Sequence, residues 1–415
     1  MRHCSAAGPS LQEQPAVSAF IVVLNCGSSS IKFGLFDAAG TARRPAWNGK
    51  VQGIGGDSPD FGASTVPVRP VELGREHPYA AALQIIRDEV LRWLDGRAVA
   101  AVAHRVVHGG VRHFEPVRVD AALLAELRAL VPLAPLHQPF ALEAIEILLR
   151  ERPGLPQIAC FDTGFHHTVP LVEQVLPLPY SAYQRGLRRY GFHGLSYEYM
   201  AVALPERHGE LARGRTLVAH LGSGASLCAM QGLQSVATTM GFSALDGLMM
   251  GTRTGAVDPG ALLYLMEIEK LSLAEVGELL YRQSGLLGVS GISAEPRRIV
   301  AHEGDAGETG ERARLALDLY VRRIVREIGA LTAVLGGLDL LVFTAGVGEH
   351  SAFVRERVCA DLAWLGVRLD ATANQADAAV ISSDESTVRV GVEPTNEEWI
   401  AARHAQRLLL ESEAC

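Results

Sequence analysis

Ile21-Val22-Val23-Leu24-Asn25-Cys26-Gly27-Ser28-Ser29-Ser30-Ile31-Lys32-Phe33-Gly34-Leu35-Phe36-Asp37 joins two strand-like apolar runs through a turn of small hydroxyl residues. A turn of this composition suits phosphate. Gly27 lets the backbone come close, Asn25, Ser28 and Ser30 offer neutral hydrogen bonds, and Lys32 brings charge to balance a polyphosphate tail or its metal ion. Ile31, Phe33 and Leu35 alternate with Lys32, Gly34 and Phe36, so the turn leads into a second strand. A P-loop would lead into a helix, and its G-x-x-x-x-G-K-[ST] spacing is absent here. Taken alone, the stretch also reads as an ordinary Ser/Gly hairpin with a solvated lysine.

The same device recurs at Leu217-Val218-Ala219-His220-Leu221-Gly222-Ser223-Gly224-Ala225-Ser226-Leu227-Cys228-Ala229. Two such hairpins suggest a duplicated fold whose halves flank a cleft, with both turns facing one polyphosphate. Around them, strand and helix signals alternate, which argues for an α/β architecture. The apolar face of Phe140, Ala141, Ala144, Ile145, Leu148 and Leu149 predicts a helix over Gln138–Arg152, stopped by Pro153-Gly154. A strand through Ile158–Phe161 then delivers Asp162. Further along, the pattern predicts a helix over Arg312–Leu335, a strand at Leu340–Phe343, a glycine turn at Thr344–Gly348 and a last helix after Thr395.

With 415 residues and about 100–200 residues per domain, two domains are expected. The net charge of -8 gives no basic footprint for nucleic acid or an anionic membrane. The six cysteines, Cys4, Cys26, Cys160, Cys228, Cys359 and Cys415, are scattered without a C-x-x-C pair. That usage fits a reduced, cytoplasmic protein. Residues 1–18 lack a signal-peptide core and read as a disordered leader. No apolar run approaches the roughly 18 residues that a membrane span requires.

Polar residues then gather where packing does not need them. Arg105, in His104-Arg105-Val106-Val107-His108-Gly109-Gly110, stands at the end of an apolar strand, where α/β folds bind ligands; a solvated surface arginine is the alternative. His137 sits in a proline-fixed loop, a position that is structural more often than catalytic. Asp162 ends a strand, and His193 is bracketed by Gly191 and Gly194, both placed for work rather than for a core. The adjacent His166 and His167 read as structural, because neighbouring positions project apart. Arg253 lies in the glycine-rich Met249–Gly260 loop, so two loop arginines and His193 would surround an anion. In Pro394-Thr395-Asn396-Glu397-Glu398, Thr395 and Glu398 form the pattern of a capping box. Glu397 is left free for a metal.

In order along the chain, these stretches resemble the acetate kinase family of the acetate and sugar kinase, heat-shock 70 and actin superfamily, over about Phe20 to Arg407. The resemblance implies a duplicated actin-like, ribonuclease H-like fold with a central cleft. Residues 19–162 plus 396–415 would form a discontinuous acyl and phosphate domain, and 163–395 a nucleotide domain carrying a dimer interface. It further implies reversible phosphorylation of acetate by ATP with Mg2+ or Mn2+, usually in a homodimer. Carried over by position, Arg105 and Arg253 clamp the carboxylate and the transferring phosphoryl, with His193 donating to that phosphoryl. Asp162, Glu397 and Asn25 serve the metal or orient the acceptor, and His137 supports the site. Val107, Leu136 and Phe192 line the methyl pocket. Asn25, Ser28, Ser30 and Lys32, with His220, Gly222, Ser223 and Gly224, face the phosphates, whereas Glu295, Arg297, Gly346 and Gly348 fall on the nucleoside side.

Direct in-line transfer requires fewer groups than a phosphorylated-enzyme route through Asp162 or Glu397. The chain departs from the family pattern at Ser223, Gln138 and His350, where Asn is usual, and at Ala244, where a pocket proline is usual. Alternatives are a propionate or other short-chain acyl kinase, a sugar or polyol kinase with Asp162 as base, and a silent nucleotide-binding scaffold. Two guanidiniums suit an anionic acceptor better than a neutral hydroxyl.

Overall fold

The first quoted stretch folds as read: β1 (Ala19–Cys26) and β2 (Ser30–Asp37) pair antiparallel across the Gly27–Ser29 turn, closed by Gly27 N–H donating to the Ser30 carbonyl at 2.9 Å. The structure, a computed structural model, describes residues 19–135 and 137–413. The leader expected over residues 1–18, and Leu136, expected in the methyl pocket, lie outside the described residues.

Adding β3 (Trp47–Gln52), β4 (Asp60–Ala63), β5 (Val66–Pro70), β6 (Ala98–Val106), β7 (Val117–Arg118) and β8 (Gln157–Phe161) completes an eight-stranded sheet, ordered β5-β4-β3-β2-β1-β6-β8-β7. A five-stranded sheet follows the order β11-β10-β9-β12-β13, from β9 (Thr216–Leu221), β10 (Ala225–Gln231), β11 (Gln234–Thr238), β12 (Leu340–Thr344) and β13 (Arg389–Val392). Each sheet places an antiparallel three-strand meander beside two parallel strands, β3-β2-β1-β6-β8 in one and β11-β10-β9-β12-β13 in the other. The fold is thus duplicated, actin-like and ribonuclease H-like.

Register carries the polar residues to one place. Ile21 and Val23 of β1 pair with Ala101 and Ala103 of β6, and Ala103 and Arg105 pair with Ile158 and Cys160 of β8. Successive side chains alternate faces, so one face of three adjacent strands is an apolar ladder that ends in Asn25, Arg105 and Asp162. The same ladder packs against Met200 and Leu204 of the helix Gly194–His208 and Ile400 and Ala405 of the helix Glu397–Glu413. Val218, Cys228, Leu340 and Val342 from the second sheet join that core, which places the two helices between the sheets. Each fully buried aliphatic side chain there contributes roughly 1.5–3 kcal/mol. The opposite faces are covered by the helices Pro78–Leu94, Ala121–Ala129 and Gln138–Glu151 on the first sheet. The helix Glu308–Leu335 covers the second.

Two local expectations are corrected. The glycine run after β12 is a short helix, Ala345–His350, rather than a turn. Side chains outside the run make it so: Ala345 N–H donates to Glu349 Oε1 at 2.8 Å, and the fully buried Arg355 donates to the Gly348 and Glu349 carbonyls at 2.9 and 2.8 Å. The Thr395 and Glu398 capping box does not form either. Asn396 caps the last helix, its Oδ1 accepting from Trp399 N–H at 3.1 Å, because the Thr395 hydroxyl is held by Ser196 Oγ at 2.7 Å.

Burial has a consequence for acid stability. It holds His104, His108, His166 and His208 down at about 4, whereas an unfolded histidine titrates near 6.5. Between those values the unfolded chain binds more protons, so stability rises with pH. The contribution is fully present above about pH 6.5 and is lost as pH falls towards about 4. Thermal melts recorded across pH should give a midpoint that is level near neutrality and drops steeply below about pH 6.5. A level midpoint down to about pH 4.5 would contradict this account.

Candidate active site

Arg105 is delivered by β6, Asp162 by the residue after β8, and Glu397 by the first turn of the last helix. The Arg105 guanidinium donates through Nε to both Asp162 oxygens at 3.0 Å, through Nη2 to Oδ2 at 2.7 Å and through Nη1 to Glu397 Oε2 at 2.7 Å. Burial alone would lower the Arg105 pKa, but the two carboxylates outweigh it and hold the value above the ordinary one. Burial pushes the Asp162 carboxyl up, with Arg105 pulling against it.

Arg253 comes from the other half and is treated differently. Nη1 donates to the Ala244 carbonyl at 3.1 Å and Nη2 meets His137 Nε2 at 3.2 Å. No carboxylate lies within ion-pair distance of it among the described residues, and burial lowers its pKa. His137 is held at about 4 by burial and by the charges of both Arg253 and Arg105. The same two guanidiniums, after burial and the neighbouring His220, depress His193 well below the ordinary histidine range. Both arginines therefore act on the same two histidines.

His193 begins the helix Gly194–His208 in the left-handed region, at φ 60°, a strained conformation held by its surroundings. Gly194 N–H donates to the Asp162 carbonyl at 2.8 Å, and a Cβ at Gly194 would run into that oxygen. This close approach couples His193 to Asp162. His193 stacks on His220 with ring centroids 4.1 Å apart, and His220 Nδ1 meets Ser196 Oγ at 2.9 Å. Nδ1 of His193 meets Ser226 Oγ at 2.8 Å, and that oxygen lies 2.6 Å from Tyr197 Oη.

In the hairpins, Asn25 pairs with Lys32 and His220 with Ser226, so these positions correspond between halves. Gly222 N–H donates to the Gly224 carbonyl at 3.0 Å, leaving Ser223 exposed at the tip, as Ser28 is in the first turn. Val107 and Ala244 pack beside the core that buries Phe192. Gln138 is fully buried and clamps His108, accepting from its N–H and donating to its carbonyl, each at 3.0 Å. Glu295 and Arg297 bond one another at 2.8 Å on the surface. Gly346 is exposed and Gly348 buried in the short helix. His166 is structural, as expected, donating from Nε2 to the Phe192 carbonyl at 2.9 Å.

Sequence reasoning missed Ser226, Tyr197, Ser196 and Glu349. Ser226 was accessible from hairpin register, as the counterpart of Lys32. Glu349 was hidden, because its Oε1 joins Ala345 N–H to Thr395 N–H at 3.1 Å, across 46 residues of chain.

The profile of the acetokinase family matches residues 20–403. The chain belongs to the acetokinase family. An acetate kinase of Rhodopseudomonas palustris is 47% identical over 406 residues, covering 94% of this chain and 99% of the relative. An acetate kinase of Nitrobacter hamburgensis is 46% identical over 402 residues, covering 94% and 96%. Among solved structures, the acetate kinase of Porphyromonas gingivalis superposes with a TM-score of 0.83 at 35% identity, covering 94% of this chain and all of that one. A propionate kinase from Francisella tularensis gives 0.85 at 33% identity, covering 94% and 99%. This acetokinase-family member is a kinase, with ATP as cosubstrate and a divalent metal as cofactor.

Proposed function

We propose that the chain catalyses reversible, ATP-dependent phosphorylation of acetate to acetyl phosphate by direct in-line transfer. The observation that carries this reading is the contrast between two half-buried guanidiniums that act on the same two histidines. Arg105 is offset by two carboxylates, while Arg253 bonds only neutral partners among the described residues. A charge drawn partly out of water without a counter-ion is costly, and an ionised acid or a transferring phosphoryl supplies the missing anion. Phosphoryl transfer between anions spreads negative charge over the equatorial oxygens, so it requires positioning and cations rather than covalent help. Acetate is already ionised at neutral pH, so no general base is needed.

In this reading Arg105 and Arg253 clamp the acid and the phosphoryl, His193 donates to the phosphoryl, and His137 steadies Arg253. Val107 and Phe192 border the methyl end. Asn25, Ser28, Ser30, Lys32, His220, Gly222, Ser223 and Gly224 face the phosphates. Glu295, Arg297, Gly346 and Gly348 serve the nucleoside. Asp162, Glu397 and Asn25 offer the oxygen donors that a hard ion such as Mg2+ or Mn2+ takes, and the bound ion would offset triphosphate charge. Residues 19–162 with 396–415, and 163–395, act as the two domains. The four described cysteines are free and buried, which suits a cytoplasmic enzyme; among the described residues no helix is long and apolar enough to cross a membrane.

Hydroxylamine trapping tests the reading. Magnesium-ATP and acetate should yield acyl hydroxamate, and phosphorylation of a neutral polyol without any hydroxamate would overturn it. Ala244, which like Val107 packs against the core that buries Phe192, puts a small side chain where a pocket proline is usual, and on this reading the site admits a longer tail. One buried methylene is worth about 0.8 kcal/mol, so propionate should turn over within about tenfold of acetate. Absence of propionate turnover beside robust acetate turnover would reject that expectation.

For assembly we propose a homodimer through the helix Pro259–Glu267, in which no residue is buried. Leu263, Tyr264, Ile268 and Leu273 are 65%, 55%, 58% and 77% exposed, a patch that a second copy would cover. Light scattering should give a dimer for the parent and a monomer for Leu263→Glu/Ile268→Glu; a monomeric parent refutes the assignment.

A further inference from the structure

We propose that Tyr197 and Ser226 form a buried hydroxyl relay that fixes His193 as its Nε2–H tautomer, making both positioning residues for phosphoryl transfer. The inference rests on the phosphoryl-transfer reading for its purpose and on proton counting for its content.

Tyr197 is fully buried, one helical turn beyond His193, and its N–H donates to the His193 carbonyl at 3.1 Å. Its hydroxyl has one partner among the described residues, Ser226 Oγ at 2.6 Å. That oxygen in turn meets His193 Nδ1 at 2.8 Å. A buried phenol must place its proton on an acceptor, so Tyr197 donates to Ser226. The Ser226 hydroxyl has one proton of its own, and the remaining partner is His193 Nδ1. Nδ1 therefore accepts, and in a neutral ring the other nitrogen carries the hydrogen. The reverse order, with Nδ1–H donating to Ser226, would strand one hydroxyl proton in a closed environment: the phenol's if Ser226 donates to Tyr197, or that of Ser226 if its oxygen accepts from both neighbours.

The other edge of the ring faces the reaction centre. A Cβ placed on Gly224 would stand 3.0 Å from His193 Nε2 and 3.8 Å from Arg253 Nη1, so Nε2 and Arg253 look onto the same turn. Stacking on His220, at an interplanar angle of 15°, holds the ring plane against flipping. Burial and the surrounding cations keep the ring neutral. A neutral histidine can be either donor or acceptor at Nε2, and only the donor helps a phosphoryl carrying negative charge. The relay selects it.

Nitrogen NMR of the full chain labelled with 15N-histidine, with the His193 signals assigned by their loss in His193→Gln, reads the tautomer without any assay of activity. The unliganded parent should have a protonated Nε2 and an accepting Nδ1. Ser226→Ala and Tyr197→Phe should each yield mixed tautomers. In Ser226→Ala, kcat should fall by about 10- to 100-fold, the loss typical of removing a group that orients a working histidine, with KM for acid and ATP within about twofold. Ser226→Thr, which keeps the hydroxyl, should restore most of kcat. An Nδ1–H tautomer in the parent, or unchanged tautomer populations and kcat in either variant, would overturn the relay. Should Ser226→Ala fail to fold, the parent spectrum and Tyr197→Phe still decide. A parent with the expected tautomer that makes no acyl phosphate would instead sink the acetate reading and leave the relay standing.

Discussion

Arg253→Ala should lower kcat by at least about 10³-fold, the scale on which a transition-state arginine acts, while the melting temperature stays within a few degrees of the parent's. The activity loss follows from position. Arg253 shares its centre with Arg105 and His193, yet its own hydrogen bonds go to a carbonyl and a neutral imidazole. Its charge is therefore available to an anion that arrives. The stability forecast follows from the same fact. Removing the guanidinium frees the Ala244 carbonyl and His137 Nε2 from their partner, which costs something, but it also removes a half-buried charge with no counter-ion among the described residues. Steady-state kinetics and a thermal melt on one preparation check both halves. Retention of more than about a tenth of kcat, or collapse of the fold, would show that Arg253 is a structural residue.

Asp162→Ala should do the opposite to stability and similar harm to activity. Asp162 has only 3% of its side chain exposed and takes three hydrogen bonds from Arg105. Breaking a buried pair by deleting one member leaves the other charge uncompensated, at about 3–5 kcal/mol. Glu397 remains, 2.7 Å from Nη1, so the lower end of that range is expected. The same change removes a proposed metal donor and frees the guanidinium to wander, which should cost kcat about 10²–10³-fold. Asp162→Asn keeps the volume and one acceptor oxygen, so it should recover part of the stability and little of the activity. Urea unfolding beside kinetics checks this; a stability loss below about 1 kcal/mol in Asp162→Ala would contradict the buried-pair account.

Most of the architecture was legible because its signals are local. The alternation in Ile31, Phe33 and Leu35, the apolar face of the helix Gln138–Glu151 and the repeat of the hairpin all depend on residues a few positions apart. Register then did what alternation promised, ending three parallel ladders in Asn25, Arg105 and Asp162. Local reading failed where a distant side chain took over a local group. The Thr395 hydroxyl fits a capping box on its own, but Ser196 claims it from 199 residues away, and Asn396 becomes the cap. Gly346 and Gly348 suggest a turn, yet Arg355 and Glu349 satisfy the backbone at the two ends of a helical segment. Arg312 was expected to begin the long helix, which instead starts at Glu308, where acidic side chains suit its positive end.

Residue order was enough to show that the chain is a duplicated α/β protein, that each half opens on a small-residue hairpin, and which polar side chains stand at strand ends. Periodicity and turn chemistry act over a handful of residues, so one sequence is enough to expose them. Only the folded arrangement shows which charges are offset and which have no counter-ion among the described residues. Arg105 and Arg253 look alike as letters; contacts with Glu397, 292 positions along the chain, and with His137, 116 positions back, make one a neutralised anchor and the other an open cation. It also decided the protonation pattern of His193, because a hydroxyl's single proton is allocated by everything around it, and those neighbours come from another strand and another turn of helix.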